Sequence, residues 1–179
     1  WDWFGGRFVA AMYQSGYSQE ATRCLLEIVR KNLARGCFYE WDNREGYGQG
    51  SLNYAGSAGA LAMAIYQGLL GFKGDRERPE ISPRLGSNEA RAQIYFPVNG
   101  LFYAYDYQVE ESTRKIKFIF NSNDSRQGLI RLLWPWGKND QPEVKLDGQP
   151  IAYKINILGH DLYLEITADL RFHRLEISP

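Results

Sequence analysis

Histidine, cysteine and surplus charge are what this sequence has least of. Lys and Arg together number 21, as do Asp and Glu, so the formal charge is zero. A chain that grips phosphates needs a basic stripe, and nucleic acid is therefore not expected as a partner. No run of about 18 apolar residues is present to span a bilayer, and no membrane partner is expected either. The two histidines, His160 and His173, have no Cys nearby and cannot supply the three or four converging ligands of a zinc site. Both are expected within strands of the second half, and no metal or other cofactor is expected. If Cys24 and Cys37 belong to one helix and its end, the helical rise separates them by more than about 10 Å. A disulfide needs Cα atoms within about 7 Å, so two buried free thiols are expected, and they leave the compartment open. No leader peptide is visible, but the chain opens at Trp1 without Met, so the true N-terminus is expected upstream.

What the chain has in quantity is aromatic side chains: 5 Trp, 12 Tyr and 9 Phe among 179 residues. Trp and Tyr present an apolar face and a polar tip, which suits surfaces that hold sugars or other amphipathic ligands. β-Strands favour the same residues, so a strand-rich core accounts for them as well.

The patterns change near residues 73–92. Before that stretch they are helical. Gly6 to Tyr13 is a short apolar-rich segment that stops at Ser15-Gly16, where Gly takes a left-handed cap. Ser18 is expected to cap a second helix. Its Ala21, Cys24, Leu25, Ile28, Val29 and Leu33 recur at helical spacing, with charges on the other side and Gly36 as the stop. The third, Tyr54 to Leu70, reads YAGSAGALAMAIYQGLL and carries no charge, so it is expected to be buried on every side. Three helices cannot surround such an element, which predicts further helices beyond this chain. Phe72 to Ala92 has the charge and Pro/Gly content of a linker. Strand signals follow at 94–98, 101–109, 115–120, 129–136, 151–158, 162–166 and 172–178, with Asp147-Gly148 as a hairpin turn. About eight strands predict an antiparallel β-sandwich.

The order of these parts carries a resemblance. Gly36-Cys37-Phe38-Tyr39-Glu40-Trp41, the glycine-bearing Gly46 to Gly50 and then Asn53-Tyr54-Ala55-Gly56-Ser57-Ala58 are similar to the loop that enters the last inner helix of the six-hairpin glycosidases. That superfamily, with glucoamylases, trehalases and processing α-glucosidases, has an (α/α)6 toroid as its catalytic domain. Trp1-Asp2-Trp3-Phe4-Gly5-Gly6-Arg7 resembles the aromatic loop before the tenth helix. Leu70-Gly71 with Ile81-Ser82-Pro83-Arg84-Leu85 resembles the exit from the toroid in related disaccharide phosphorylases. The chain departs from the family where a tyrosine often follows the glutamate by two residues, and it has Tyr54 where others have Trp. The resemblance implies an α+β chain in two parts: residues 1–72 as the last three helices of the toroid, 73–92 as a linker and 93–179 as the sandwich.

By the same resemblance, Glu40 is the general base of an inverting hydrolase, and Trp1, Asp2, Trp3, Arg7, Trp41, Tyr47 and Tyr54 contact an oligosaccharide substrate. Inversion uses two carboxyl groups about 6.5–9.5 Å apart, one protonating the leaving oxygen and one activating water. The acid is expected on an earlier hairpin, with Asp2 as a weaker in-chain candidate. The remaining helices are expected on the same or another chain. Bland alternatives stand beside each residue. Glu40 at a helix end reads equally as a solvated charge. Trp1 and Trp3 could cap a core, Arg7 could pair with an Asp, and Glu45 in its turn-like run is expected in solvent. Gly46-Tyr47-Gly48-Gln49-Gly50 lacks the strand and Lys of a phosphate loop. Two other functions are open: a phosphorylase using phosphate in place of water, or a non-catalytic carbohydrate-binding module with Trp134 and Trp136 as its platform.

Overall fold

The first helix begins earlier than its apolar spacing predicts. In the computed structural model, which describes residues 1–74, 77–137 and 140–179, α1 spans Asp2–Gln14. The expected loop Trp1–Arg7 is thus helical from its second residue. Paired glycines are poor helix formers, but tertiary packing overrides propensity here. A Cβ on Gly6 would lie 2.6 Å from the carbonyl carbon of Ala60, so the missing side chain lets α1 approach α3 (Ala55–Met63) closely. At its other end α1 closes as expected. Gly16 has φ +79, its N–H donates to Tyr13 O at 3.3 Å, and Tyr17 N–H reaches Met12 O at 3.0 Å.

Helix α2 spans Ser18–Arg35 and ends at Gly36, φ +69, where the sequence places its stop. Its N-cap is Tyr17 rather than Ser18, which is already helical. The Thr22 hydroxyl donates to Ser18 O at 2.8 Å and accepts from the Tyr13 phenol, also at 2.8 Å. Val9, Ala10, Tyr13, Ala21, Leu25, Leu61 and Ala64 form the core of this helical unit, Trp1–Leu69. Cys24 and Cys37 are free thiols, half-buried rather than buried. After Met63 the third helix continues as a π-helical segment, Ala64–Leu69. It is not buried on all sides within this chain. Ser57, Ala60, Leu61, Ala64 and Gly68 face inward, whereas Ala55, Gly56, Gly59, Ala62 and Tyr66 are exposed.

Leu70–Pro179 is the second unit, a β-sandwich. One sheet has six strands: β5 (Ala90–Phe96), β6 (Leu101–Glu110), β7 (Lys115–Ser122), β13 (His173–Ser178), β9 (Glu143–Leu146) and β10 (Gln149–Pro150), in that spatial order. The other has β3 (Phe72–Lys73), β4 (Glu80–Ile81), β8 (Gln127–Leu133), β12 (Asp161–Asp169) and β11 (Lys154–Leu158). Period-two alternation turns Tyr103, Tyr105, Tyr107, Ile116, Phe118 and Phe120 of one sheet inward, and Ile130, Leu132, Leu164 and Ile166 of the other. Phe72 meets Tyr105 across the two layers, ring centroids 5.2 Å apart. Asp147 and Gly148, with φ +50 and +80, make the expected hairpin turn.

Two expectations fail in this unit. The linker 73–92 is largely sandwich: β3 pairs with β4, β4 runs parallel to β8, and residues 81–85 are buried. Two residues of that stretch, 75 and 76, lie outside the described residues. Among the described residues, the sandwich is therefore antiparallel in every pairing but β4–β8. His160 lies not in a strand but in the exposed turn between β11 and β12, while His173 opens β13 as expected.

Candidate active site

Phe38 to Leu52 is not an open loop but a hairpin, β1 (Tyr39–Asp42) with β2 (Gly48–Leu52). Its pairing slips in the middle. Tyr39 faces Leu52 and Trp41 faces Gln49, so two residues of β2, Gly50 and Ser51, oppose the single residue Glu40. Gly50 has φ +76, the left-handed conformation that a bulge of this type requires of its first residue. The bulge takes Ser51 off the ladder and turns its donors to Glu40. Ser51 N–H reaches Glu40 Oε2 at 3.3 Å and the Ser51 hydroxyl reaches the same oxygen at 3.2 Å. The aromatic residues of β1 lie over glycines of β2: a Cβ on Gly48 would meet the Tyr39 ring at 2.1 Å, and one on Gly50 the Trp41 ring at 2.5 Å.

Two other carboxylates of this region, Asp2 and Asp42, are tied to cations. Asp2, 5% exposed, accepts from Lys31 Nζ at 2.5 Å and from Asn32 Nδ2 at 2.7 Å. Lys31 also pairs with Asp42, which Arg35 holds from its other oxygen at 2.5 Å. Burial pushes Asp42 up, but the hydrogen bonds from Lys31 and Arg35 outweigh it and hold the carboxyl below its ordinary value. Arg35 further donates to the Gly46 carbonyl and so anchors the hairpin turn to α2. Glu45 is exposed in that turn. Glu40 is half-buried, and among the described residues it forms no ion pair; Ser51 supplies both of its hydrogen bonds. The Tyr39 phenol is raised above its ordinary value, chiefly by its hydrogen bond with the Cys37 side chain.

The remaining predicted residues divide into two groups. Trp41 and Tyr47 ride on the hairpin, 37% and 69% exposed. Tyr54 caps α3, and its N–H donates to Phe38 O at 3.1 Å. The Ser57 hydroxyl of α3, wholly buried, ties down the Tyr39 carbonyl at 3.0 Å. Trp1, Trp3 and Arg7 instead contact one another at the start of α1. Trp1 and Trp3 both stack with Phe4, at 5.4 and 3.8 Å, and the Arg7 guanidinium sits 5.6 Å over Trp3. Asp2 is brought to the hairpin through Lys31. Sequence reasoning missed Lys31, Arg35, Asn32 and Ser51. Only Ser51 left a trace, as a hydroxyl beside a glycine in the expected loop. The alternative platform on the sandwich is not open: Trp134 is 3% exposed, Trp136 packs edge-on against it at 4.6 Å, and Arg114 lies over Trp136.

No protein-family model matches the chain, and no curated protein matches it. Solved structures do. An α-L-rhamnosidase from Dictyoglumus thermophilum is similar over 78% of this chain, at 15% identity and a TM-score of 0.55. A GH127 β-L-arabinofuranosidase from Geobacillus stearothermophilus T6 is similar over 70%, at 12% identity and a TM-score of 0.43. A protein described as a glycoside hydrolase is similar over 90%, at 12% identity and a TM-score of 0.47. The chain spans 16%, 19% and 28% of the lengths of these three. At such identities the likeness is one of fold: this chain is similar in architecture to a part of the rhamnosidase, and its structural neighbours are glycoside hydrolases.

Proposed function

We propose that this chain is the C-terminal part of a glycoside hydrolase, that its helical unit supplies the last three helices of an (α/α)6 toroid, and that Glu40 is the general base of an inverting hydrolysis. One observation carries this: Glu40 is the carboxylate of the hairpin held by neutral donors alone, while Asp2 and Asp42 are tied to cations. A general base must keep a lone pair for the proton it takes. Ser51 engages Oε2 twice and leaves Oε1 for water. In the reaction, water attacks the anomeric carbon, its proton passes to Glu40, and the glycosidic C–O bond breaks on the opposite face. The leaving oxygen receives its proton from an acid on an earlier hairpin, with room for the water between two carboxyl groups about 6.5–9.5 Å apart. Asp2, buried against Lys31 and Asn32, is better suited to orient the hairpin than to serve as that acid. Trp41, Tyr47 and Tyr54 frame Glu40's hairpin, and Trp1, Trp3 and Arg7 offer rings and a guanidinium to sugar hydroxyls and C–H faces.

The partner of the helical unit is the rest of the toroid, on the same or another chain. The exposure of Trp1, Phe4, Phe8 and Leu33, at 61, 49, 64 and 75%, supports this, as does the small-residue face of α3. The fold likeness to an α-L-rhamnosidase adds α-L-rhamnosides to the substrates worth testing. The experiment compares the full-length protein with its Glu40→Gln variant on α- and β-linked gluco-oligosaccharides and α-L-rhamnosides. The expected outcome is a loss of about a hundredfold or more in turnover with substrate binding retained. Unchanged turnover would make Glu40 a surface charge, and a requirement for inorganic phosphate would make the enzyme a phosphorylase.

A further inference from the structure

The outer face of the six-stranded sheet is not flat. A shallow depression of about 340 Å³ lies across β5, β6 and β7, at the small end of ligand sites, which run to roughly 300–1,000 Å³. Its floor is Ala104, and the register places Gln93 and Asn121 on either side of that alanine. The two amides therefore stand two strand spacings apart, roughly 10 Å. One residue pair further along, Arg91, Asp106 and Ile119 form the next row. Asp106 is fixed by Arg91 Nε at 2.7 Å and by Gln108 Nε2 at 3.1 Å. Among the described residues, neither the Gln93 nor the Asn121 side chain makes a hydrogen bond to the protein. On the same face, beyond the amides, Tyr95 is 60% exposed.

These features narrow the ligand. The one cation of the rim, Arg91, is neutralised by Asp106, so the dish has no net charge to attract a phosphate or an acidic chain. An apolar partner would cover two amides without satisfying them. An extended peptide adding a strand needs a free edge, whereas this floor is the face of three paired strands. A neutral saccharide meets every feature: hydroxyls that donate to and accept from planar amides, and C–H faces for Ala104, Ile119 and the Tyr95 ring. We propose that this dish is a saccharide-binding site of the sandwich, reading one or two sugar units of a neutral glycan. It draws on the sheet alone and stands whether or not Glu40 is a base.

The test is a titration of this chain with neutral tetrasaccharides of glucose, mannose, galactose and xylose and with rhamnosyl disaccharides, followed by the amide resonances of the protein. The expected result is that at least one glycan moves Gln93, Ala104 and Asn121. The paired substitution Gln93→Ala with Asn121→Ala, both at exposed positions, weakens that binding about tenfold or more. Ala104→Trp, which fills the floor, abolishes it while an unchanged Trp134 indole resonance reports an intact sandwich. Absence of binding across the panel overturns the proposal, as does binding that the paired substitution weakens less than tenfold. Shifts confined to Glu40 and Trp41 count against the dish and leave the role of Glu40 standing.

Discussion

Replacing Asp124 with Asn isolates the charge that locks one end of the six-stranded sheet. Asp124 is 3% exposed and sits in the turn between β7 and β8. The Tyr103 phenol donates to Oδ2 at 2.7 Å, and Arg126 donates through Nε to Oδ1 at 2.9 Å and through Nη2 to Oδ2 at 2.6 Å. The hydrogen bonds from Arg126 hold the carboxyl at about 2, against the burial that pushes it up, with Tyr103 adding to them. The Tyr103 phenol is itself pushed well above its ordinary value, by burial first and by Asp124 second, so it remains a donor throughout. A folded value below the ordinary 3.8 contributes stability that is complete above 3.8 and lost as pH falls through about 2. At about 1.4 kcal/mol per tenfold change in proton affinity, and discounted because solvent screens the partly exposed Arg126, the contribution is about 1–2 kcal/mol. Asp124→Asn keeps an acceptor for Tyr103 and removes the charge. The assay is urea unfolding at pH 7 and near pH 2, followed by the Trp134 indole resonance of the sandwich. The variant should be less stable by that amount at pH 7, and the gap should close toward pH 2 as the wild type loses its own charge. An equal gap at both values would refute the electrostatic account and leave packing as the cause.

Other outcomes follow from the same geometry. Gly71→Ala places a Cβ 1.8 Å from Ser82 O at a residue with φ +70, so it should cost the sandwich about 3 kcal/mol or more. A thermal melt that moves by less than roughly 5 °C would count against the close approach. His173 lies between two carboxylates, Nδ1 to Asp147 at 2.6 Å and Nε2 to Asp169 at 3.0 Å, with the Phe120 ring beside it. Burial pulls its imidazole down, but the hydrogen bonds to Asp147 and Asp169 outweigh it and raise the folded value above the ordinary 6.5. That stability is complete below 6.5 and lost as pH rises through the folded value. Sandwich stability compared between wild type and His173→Gln should therefore differ most in mild acid and converge at alkaline pH; a difference that grows with pH would overturn the assignment.

The strands of the sandwich were legible because one face of each is buried. Lys115-Ile116-Lys117-Phe118-Ile119-Phe120 alternates in sequence as β7 does in space, and Asp147-Gly148 marks the turn from β9 to β10 outright. The helix ends at Gly16 and Gly36 were equally readable, since each needs a positive φ. Strands β3 and β4 were hidden because each is only two residues long and lies among charges and prolines. The hairpin around Glu40 was hidden for another reason: two of the five residues of β2 are glycine, and the apolar surface that should alternate comes from the rings of the facing strand. Trp1–Arg7 looks like a loop because Gly5-Gly6 is a poor helix, and nothing local announces Ala60 as the surface it meets. Glu40 was visible as a carboxylate between rings. The cation that separates it from Asp2 and Asp42 was not, because Lys31 is 29 residues from one and 11 from the other.

Aromatic rings laid over glycines also bear on which sequences this hairpin can accept. Tyr39 and Gly48 share one volume, and so do Trp41 and Gly50. A side chain introduced at position 48 is compatible with the fold only where position 39 gives up its ring, and Gly50 carries the further demand of its left-handed backbone. Each couple should therefore drift as a unit among chains that keep the hairpin, with single exchanges rare and paired exchanges tolerated, and the 41–50 couple should be the slower of the two.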